Sequence, residues 1–307
     1  MIRKNIIKTP DLILCADIHL RDTIPICRTD NFLSAQWKKL DFISDLQKKY
    51  GCPVYHSGDL FHKWKPSPWL ISKALHHLPD QFYSVFGNHD LPEHNINLKE
   101  KSGLWTLYKA GKVQILPGIH WNQSIEEYEK NGIDQINIKG RNILVWHVMS
   151  YQRILPYPGC ESPKSSTILR KYPQYDLILT GHNHQTFVEE HEGRLFINPG
   201  AMTRQTADMD NYLFVNKPSV YLWYAEDNTY DTIYIPIEEG VISRDHIEKK
   251  EERDNRIDAF ITKLENDWEG VVDFDKNLER MMEVNKTRQS VKLIVHRSMN
   301  DGNYESR

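Results

Sequence analysis

The sequence predicts an α/β fold, in which strands and helices alternate along most of the chain. Two observations indicate this class. Short apolar runs of strand length recur from residue 12 to residue 198, and longer amphipathic segments separate the first of them. Alternating strands and helices favour a mainly parallel sheet with polar groups at the carboxyl ends of its strands.

The strand candidates are apolar runs rich in Leu, Ile, Val and Phe. In chain order they are Leu12 to Ala16, Val54 to Ser57, Phe82 to Phe86, Val113 to Leu116, Ile143 to His147, Leu177 to Thr180 and Leu195 to Asn198. Val220 to Tyr224 and Thr232 to Ile235 are predicted to form a hairpin that completes a sheet.

Helix candidates separate the early strands. They are Asn31 to Tyr50, with its apolar residues Phe32, Ala35, Leu40, Ile43 and Leu46, then Trp69 to His77 and Ser102 to Ala110.

The chain changes character at Ser243. Helical spacing predicts an amphipathic helix there, with Gly270 as its stop; its apolar residues are Ile247, Ile257, Phe260, Ile261, Leu264 and Trp268. A short helix from Asn277 to Val284 and a strand from Val291 to Val295 are predicted to follow. We therefore predict a main domain over residues 1–242 and a small, mainly helical appendage over residues 243–307.

Composition excludes several classes of protein. The net charge of -3 gives no overall basic character, so binding to nucleic acid would require a local basic surface. The four cysteines form no C-x-x-C pair, which argues against a zinc ribbon and a disulfide scaffold. Neither a P-loop nor a G-x-G-x-x-G motif is present, which argues against ATP binding by a P-loop and against a dinucleotide enzyme. With no apolar signal segment and no apolar run of about 18 residues, we expect a soluble, cytoplasmic protein.

Polar motifs rich in His and Asp follow five of the predicted strands. They are Asp17-Ile18-His19, Gly58-Asp59-Leu60-Phe61-His62, Gly87-Asn88-His89-Asp90, the single His147, and Gly181-His182-Asn183-His184. In extended backbone, residues two apart project to the same side, so each Asp-x-His or His-x-His couple can hold one cation or span two. Mixed nitrogen and oxygen ligands, with one carboxylate that can bridge, are typical of a site that binds two divalent cations and hydrolyses a phosphodiester.

These motifs resemble those of the calcineurin-like metallophosphoesterase superfamily, and Gly58 to His62 followed by Gly87 to Asp90 is especially similar to its SbcD nuclease branch. The resemblance covers about residues 10–205 and implies a four-layer αββα sandwich. It implies that one metal is held by Asp17, His19, Asp59 and His184, and the other by Asp59, Asn88, His147 and His182. Asp59 would be the bridge, and a metal-bridging hydroxide would attack the phosphate in line.

The resemblance also implies roles for three further residues. His89 would be the general acid for the leaving oxygen, and Asp90 would orient its ring. His62 would contact the substrate or support the metal ligands from behind. The Asn-Pro-Gly turn at residues 198–200 departs from the best-known SbcD proteins and is similar to turns in several small phosphoesterase families.

Two loops carry candidate substrate contacts. The first contains Lys63, Trp64 and Lys65, and the second contains Arg153 beside Tyr151 and Tyr157. Basic and aromatic side chains together suit a phosphate backbone and unstacked bases. Alternatively, the tryptophans anchor the packing and the lysines form a solvated rim.

The sequence thus predicts a two-metal phosphodiesterase, foremost a DNA exonuclease or endonuclease of the SbcD type with a role in DNA repair. A small-molecule phosphoesterase and a binding subunit with a vestigial site are the alternatives. We expect two divalent ions, foremost Mn²⁺, with Fe²⁺ and Zn²⁺ as alternatives. DNA is the expected substrate. The expected partner of residues 243–307 is an SbcC-type ATPase or a second copy of the chain.

Overall fold

A computed structural model of the chain describes residues 8–130, 135–213, 215, 217–266 and 274–302. The chain divides into two compact units between His246 and Ile247. The first unit contains two β-sheets with helices, and the described part of the second is helical. The predicted α/β class with a mainly helical C-terminal part is confirmed.

The strands and helices have the following bounds. The strands are β1 (Leu12–Cys15), β2 (Val54–His56), β3 (Phe82–Ser84), β4 (Val113–Ile115), β5 (Ile136–Ile138), β6 (Arg141–Trp146), β7 (Leu177–Thr180), β8 (Phe187–His191), β9 (Arg194–Asn198), β10 (Ser219–Tyr224) and β11 (Thr229–Tyr234). The helices are α1 (Phe32–Tyr50), α2 (Pro68–His77), α3 (Gly103–Lys109), α4 (Ile125–Lys130), α5 (Ser165–Lys171), α6 (Met209–Tyr212), α7 (Asp245–Asn266), α8 (Phe274–Val284) and α9 (Gln289–Gly302). Within the described ranges, none of these helices is long and apolar enough to cross a membrane.

The first sheet has the strand order β11-β10-β1-β2-β3-β4. Its four strands from β1 to β4 are parallel, with Val54 of β2 paired to Ile13 on one side and to Phe82 on the other. The predicted hairpin of β10 and β11 runs antiparallel to them and joins the sheet beside β1. The carboxyl ends of β1, β2 and β3 therefore meet at one edge.

The second sheet has the order β5-β6-β7-β9-β8. Strands β6, β7 and β9 are parallel, with Leu177 of β7 paired to Ile143 and to Leu195. The outer strands β5 and β8 are antiparallel to their neighbours. The carboxyl ends of β6 and β7 also lie side by side.

Alternating side chains of the strands divide the core into layers. Leu14 of β1 belongs to a buried cluster with Val145 and Leu179 of the second sheet, so the two sheets pack face to face. Its neighbour Ile13 points the other way, into a cluster with Leu40 of α1. This is the period of two that a strand buried on both faces requires.

Helices cover the outer face of each sheet. α1, α2 and α3 pack on the first sheet through residues that include Leu40, Leu70 and Leu104. α4 and α5 pack on the second sheet, where Tyr128 and Ile168 cluster with strand residues. The order helix, sheet, sheet, helix confirms the expected four-layer αββα sandwich.

The predicted strand from Val291 to Val295 is wrong, because these residues lie in the helix α9. β-branched side chains favour a strand only where a pleated, half-buried surface receives them. Val291 and Ile294 are exposed here, at 43% and 65%. A helix satisfies its own backbone hydrogen bonds without such a neighbour. The predicted positions of Trp268 and of the helix stop at Gly270 lie outside the described residues.

Candidate metal centre

Seven polar side chains gather where the parallel strands of both sheets end. The first sheet provides Asp17, His19, Asp59 and Asn88, and the second provides His147, His182 and His184. Hydrogen bonds join the loops that carry them. The His19 N–H donates to the Asp59 carbonyl over 2.9 Å, and the His182 N–H donates to the Asp17 carboxylate over 3.0 Å. The site therefore lies at the seam between the two sheets.

The donor atoms form two neighbouring groups. Asp17, His19 and His184 make one, and Asp59, His147 and His182 make the other, with the ligand atoms of each within 4.8 Å of one another. Asn88 joins the second group, since its Oδ1 lies 3.0 Å from His147 Nε2 and 2.8 Å from His182 Nδ1.

Asp59 stands between the two groups. Its Oδ2 lies 3.6 Å from Nε2 of His19 and 3.5 Å from Nε2 of His147. Nε2 of His19 in turn lies 3.0 Å from Nε2 of His184. The structure therefore brings together all seven predicted ligands, with the predicted bridge in the middle. Their binding of metal stays a prediction.

The backbone conformation at four of these residues is not the extended one that the sequence predicts. Asp17, His19, Asp59 and His182 have positive φ angles of 45°, 49°, 59° and 74°. They lie past the ends of their strands, in the left-handed region rather than in extended backbone. The extended backbone expected at these couples is therefore wrong, although the ligand atoms of Asp17 and His19 do lie within 4.8 Å of each other. Such strained positions concentrate at functional sites, where surrounding structure holds them.

The two buried carboxylates of the site differ, because burial raises the pKa of Asp17 whereas imidazoles outweigh burial at Asp59. Asp17 and Asp59 are 0% and 1% exposed. Burial favours the neutral acid, but the neighbouring His147 and His19 outweigh it and hold the pKa of Asp59 below its usual value. Burial alone would lower the pKa of His147, yet the charges of Asp59 and Asp17 raise it to about 9. A proton on His147 thus supplies positive charge that a divalent cation can replace.

His89 lies beside the groups and is held through its Nδ1. This atom is 2.7 Å from the carbonyl oxygen of His62, and because a carbonyl can only accept, Nδ1 carries the proton. The His89 backbone N–H donates to Asp59 Oδ1 over 2.8 Å. The remaining ring nitrogen, Nε2, is the one that can act on a substrate.

The prediction that Asp90 orients the His89 ring is wrong. The Asp90 carboxylate is fully buried and accepts hydrogen bonds from backbone N–H groups at distances of 2.8 to 3.3 Å. The donors belong to Asp59, Leu60, Phe61 and Gly87. Burial, followed by the charge of Asp59, raises the pKa of Asp90 to about 7. Asp90 shapes the loop that carries Asp59, and the His62 carbonyl takes the orienting role.

Comparison with known proteins identifies the family. Residues 11–217 match the calcineurin-like phosphoesterase superfamily domain. The chain belongs to this superfamily. Its members are metal-dependent phosphoesterases, so this chain is a hydrolase of that kind. No curated protein sequence matches the chain.

Several solved structures are similar to this metallophosphoesterase. A novel archaeal phosphodiesterase is 17% identical with a TM-score of 0.40, and the match covers 73% of this chain and 98% of that one. A putative 5'-nucleotidase from Staphylococcus aureus is 13% identical with a TM-score of 0.43, covering 79% and 58%. Vacuolar protein sorting 29 from Cryptosporidium parvum is 17% identical with a TM-score of 0.36, covering 74% and 97%.

The donor set of this superfamily member fits divalent cations. It offers imidazole nitrogens and carboxylate or amide oxygens without a thiolate, which suits Mn²⁺, Fe²⁺ and Zn²⁺. His19 also has a buried Nδ1 without a hydrogen-bond partner in the described part of the chain. His19, His62 and His89 form a third group within 4.8 Å, so geometry alone leaves His89 open as a ligand.

Three residues that the motifs did not single out hold the predicted ligands. Ser57 accepts a hydrogen bond from His147 Nδ1 at its carbonyl over 2.7 Å, which directs Nε2 to the site. The buried Asn198 donates from Nδ2 to the carbonyls of Asn183 and Gln185, over 2.6 Å each, and so fixes the loop of His182 and His184. Trp121 packs on the His182 ring at 4.6 Å. Only Asn198 had a sequence signal, the Asn-Pro-Gly turn.

A cavity of about 240 Å³ adjoins the His89 side of the metal centre. We call it the entrance cavity. Its lining includes His19, His62, His89 and His184. The His62 ring stacks on the His89 ring at 5.4 Å, which places the predicted substrate-contacting histidine in this wall.

The predicted substrate contacts lie outside this wall. Lys63, Lys65 and Arg153 are exposed, and Trp64 is half-buried. None of the four is among the described residues that line the entrance cavity. Lys63 is nevertheless near enough to His62 to contribute, after burial, Arg21 and His89, to lowering the pKa of that ring to about 4. These four residues stay predictions.

Gly87→Ala should disrupt the metal centre, since a Cβ at Gly87 would lie 2.1 Å from Asp59 Oδ1 and 2.4 Å from the Asp59 nitrogen. Backbone cannot move aside as a flexible side chain does. Overpacking of this kind costs about 1–3 kcal/mol. We expect a lower free energy of unfolding in urea and weaker Mn²⁺ binding by calorimetry.

Gly111→Ala is the control. A Cβ there meets nothing within 4 Å, although φ is +76°. It should show only the backbone strain, of about 1 kcal/mol, with normal Mn²⁺ binding. Unchanged Mn²⁺ binding in Gly87→Ala would contradict the close approach of this loop to Asp59.

Proposed function

We propose that this chain is a two-metal phosphodiesterase that acts on DNA, as an exonuclease or endonuclease of the SbcD type. The observation that carries the proposal is the pair of donor groups, with Asp59 of one group only 3.6 Å from His19 of the other and His89 beside them at the wall of an open cavity. The similarity of the Gly58 to His62 and Gly87 to Asp90 motifs to the SbcD branch supports the choice of substrate.

In this proposal the two groups hold one divalent ion each. Asp17, His19 and His184 belong to the first ion, Asn88, His147 and His182 to the second, and Asp59 to both. When bound, such ions neutralise charge on the phosphodiester and activate the attacking water. Mn²⁺ is the proposed ion. Mg²⁺, which prefers oxygen ligands and retains water, should support the reaction poorly.

His89 is proposed to protonate the leaving oxygen from Nε2. Its Nδ1 proton is committed to the His62 carbonyl, so the ring cannot rotate without losing that bond. A ring held in this way presents Nε2 to the cavity in a fixed direction, as a general acid requires.

DNA is favoured over a small phosphate ester by the loop that follows Asp59. Lys63 and Lys65 are exposed on this loop, and the indole of Trp64 lies between them in sequence. The chain as a whole is slightly acidic, so a polyanion needs such a local basic surface. The concave entrance cavity is the feature that favours the second candidate function, hydrolysis of a small phosphate ester.

The proposal is tested with the Mn²⁺-loaded protein on linear duplex DNA, single-stranded DNA, bis(p-nitrophenyl) phosphate and p-nitrophenyl phosphate. We expect the protein to cleave at least one of the two DNA substrates and bis(p-nitrophenyl) phosphate. Cleavage of the small esters with neither DNA cut would replace the nuclease with a small-molecule phosphoesterase. If none of the four compounds is hydrolysed, the interpretation that remains is a binding subunit with a vestigial site.

The Lys63→Ala/Lys65→Ala variant should bind DNA more weakly and show a smaller dependence of log K on log salt, by about one unit for each phosphate that is no longer neutralised. Its turnover of bis(p-nitrophenyl) phosphate should change little. The control is Lys48→Ala/Lys49→Ala, which removes two adjacent exposed lysines from the last turn of α1. Equal salt slopes in the two double variants would contradict the basic loop as a DNA contact.

A partner for the C-terminal unit also stays a prediction. Ile257 and Ile261 of α7 are 49% and 45% exposed, and an SbcC-type ATPase or a second copy of the chain would cover them.

A further inference from the structure

The entrance cavity is cationic beyond its histidines. Arg21 and Lys217 are among its lining residues, together with the polar Thr203, Gln205 and Thr206. Arg204 lines it as well, and none of the described lining residues is acidic. In the proposed function the scissile phosphate lies at the donor groups. The positive charge of the adjoining cavity therefore attracts a different negative group of the substrate.

We infer that the entrance cavity binds a second phosphate of the substrate, next to the phosphodiester that is hydrolysed, and that Arg21 is its main contact. The inference rests on the proposed function and narrows its substrate class to nucleotides with two neighbouring phosphates. An internal phosphate of a polynucleotide and a terminal phosphate of a short oligonucleotide share this chemistry.

Arg21 is held in place by contacts that also reach a metal ligand. Its Nη1 donates to Gln205 Oε1 over 3.2 Å, and Gln205 Nε2 donates to the carbonyl of His19 over 2.9 Å. The Arg21 backbone is bonded through both its N–H and its carbonyl to the buried Gln36, over 3.2 and 2.8 Å. The position of the guanidinium is therefore fixed relative to the first donor group.

Donor capacity remains on the Arg21 guanidinium. Its Nε donates to Thr23 Oγ1 over 3.0 Å, and one Nη1 hydrogen is used by Gln205. A guanidinium carries five N–H groups in a planar fork, so three have no partner among the described residues and can bind a phosphate. Arginine binds phosphate through two parallel hydrogen bonds more readily than lysine does, because of this fork.

The charge of a neighbouring cavity is opposite. This second cavity, of about 420 Å³, shares His184, Thr206 and Asn211 with the entrance cavity and is lined by Asp208 and Asp210. A substrate with two phosphates is attracted by Arg21 in the entrance cavity and repelled by the carboxylates of the second cavity. This asymmetry orients the substrate, so the second phosphate should lie on one defined side of the scissile bond.

Hydrolysis of matched dinucleotides tests the inference. The Mn²⁺-loaded protein is assayed on TpT, on TpT with a 5′-phosphate and on TpT with a 3′-phosphate. We expect one of the two phosphorylated forms to have a kcat/KM about 10- to 100-fold above that of TpT, the size of a charge-assisted contact. The end that carries the preferred phosphate reports the orientation.

Substitution at Arg21 separates its charge from a structural role. Arg21→Met should reduce the preference for the phosphorylated form to about one, and Arg21→Lys should restore part of it. The control is Arg170→Met, which removes an exposed guanidinium from α5, on the second sheet, and should keep the preference. An equal loss on TpT and on its phosphorylated forms in Arg21→Met would overturn the inference, as would a wild-type protein without a preference.

Equilibrium binding gives a readout that does not depend on turnover. By calorimetry, thymidine 3′,5′-bisphosphate should bind the Mn²⁺-loaded protein about tenfold more tightly than either thymidine monophosphate, and Arg21→Met should lose the difference. If neither DNA nor a dinucleotide is hydrolysed but this difference is present, the proposed function fails and the phosphate site stands. If dinucleotides are hydrolysed and the difference is absent, the phosphate site fails and the proposed function stands.

Discussion

Asp59→Asn should lower phosphodiester hydrolysis about a hundredfold or more and weaken metal binding at both donor groups. The charge stabilisation that metal ions provide is worth several kcal/mol, and each 1.36 kcal/mol is tenfold in rate, so a hundredfold loss is a modest expectation. Asp59 Oδ2 lies within 3.6 Å of His19 and 3.5 Å of His147, one from each group. An amide keeps the shape of the carboxylate but removes the negative charge that both ions would share.

The measurement is calorimetric titration of Mn²⁺ into the metal-free variant, together with turnover of bis(p-nitrophenyl) phosphate. Asp80→Asn is the matched control, since the Asp80 side chain is 78% exposed and pairs with Lys112 at the surface. It should bind Mn²⁺ as the wild type does. Full Mn²⁺ occupancy with normal turnover in Asp59→Asn would show that Asp59 is no bridge.

His89→Ala should keep both metal ions and lose roughly 10²- to 10⁴-fold in turnover, the usual contribution of a positioned acid or base. The ring lies outside the group of Asp17, His19 and His184 and the group of Asp59, His147 and His182, and its Nδ1 donates to the His62 carbonyl. His147→Ala is the contrasting variant. It removes a ligand of the second group, so it should lose one ion as well as activity.

His191→Ala serves as the control for both histidine variants, because His191 lies on β8 away from the donor groups. Metal content is measured by titration and turnover with the chromogenic diester. If His89→Ala lost an ion while His147→Ala retained two, the third group of His19, His62 and His89 would be the true ligand set.

The central strands could be predicted from the sequence because each is buried on both faces and so reads as a continuous apolar run. Leu177–Thr180 has the predicted bounds, and Leu12–Cys15 ends one residue before the prediction. Outer strands lack this signal. β8 contains Glu189 and Glu190, and β5 has only three residues, so neither contrasts with the polar segments around it. Both depend on a partner strand that local pattern does not reveal.

The sequence predicted which residues form the site, but not their backbone conformation or their hydrogen-bond partners. Side-chain chemistry identified Asp17 and His182, since few other arrangements place His and Asp after successive strands. Their left-handed backbone depends on the loops around them, including the bond from the His182 N–H to Asp17. Asp90 was assigned to its sequence neighbour His89, whereas its true contacts are backbone groups 29 to 31 residues earlier and Gly87. Adjacency in sequence does not determine which way a buried carboxylate turns.

The position of the donors at the seam of two sheets makes a bound cation a cross-link between them. His19 and His184 are 165 residues apart in the chain, so an unfolded chain offers no preformed site. A cation that binds only the folded form adds about 2.7 kcal/mol of stability per site when its free concentration is a hundred times Kd. Unfolding temperatures of this protein therefore have meaning only at a stated concentration of free metal. Preparations made with and without a chelator would differ in resistance to heat and proteolysis, although their sequence and apolar core are the same.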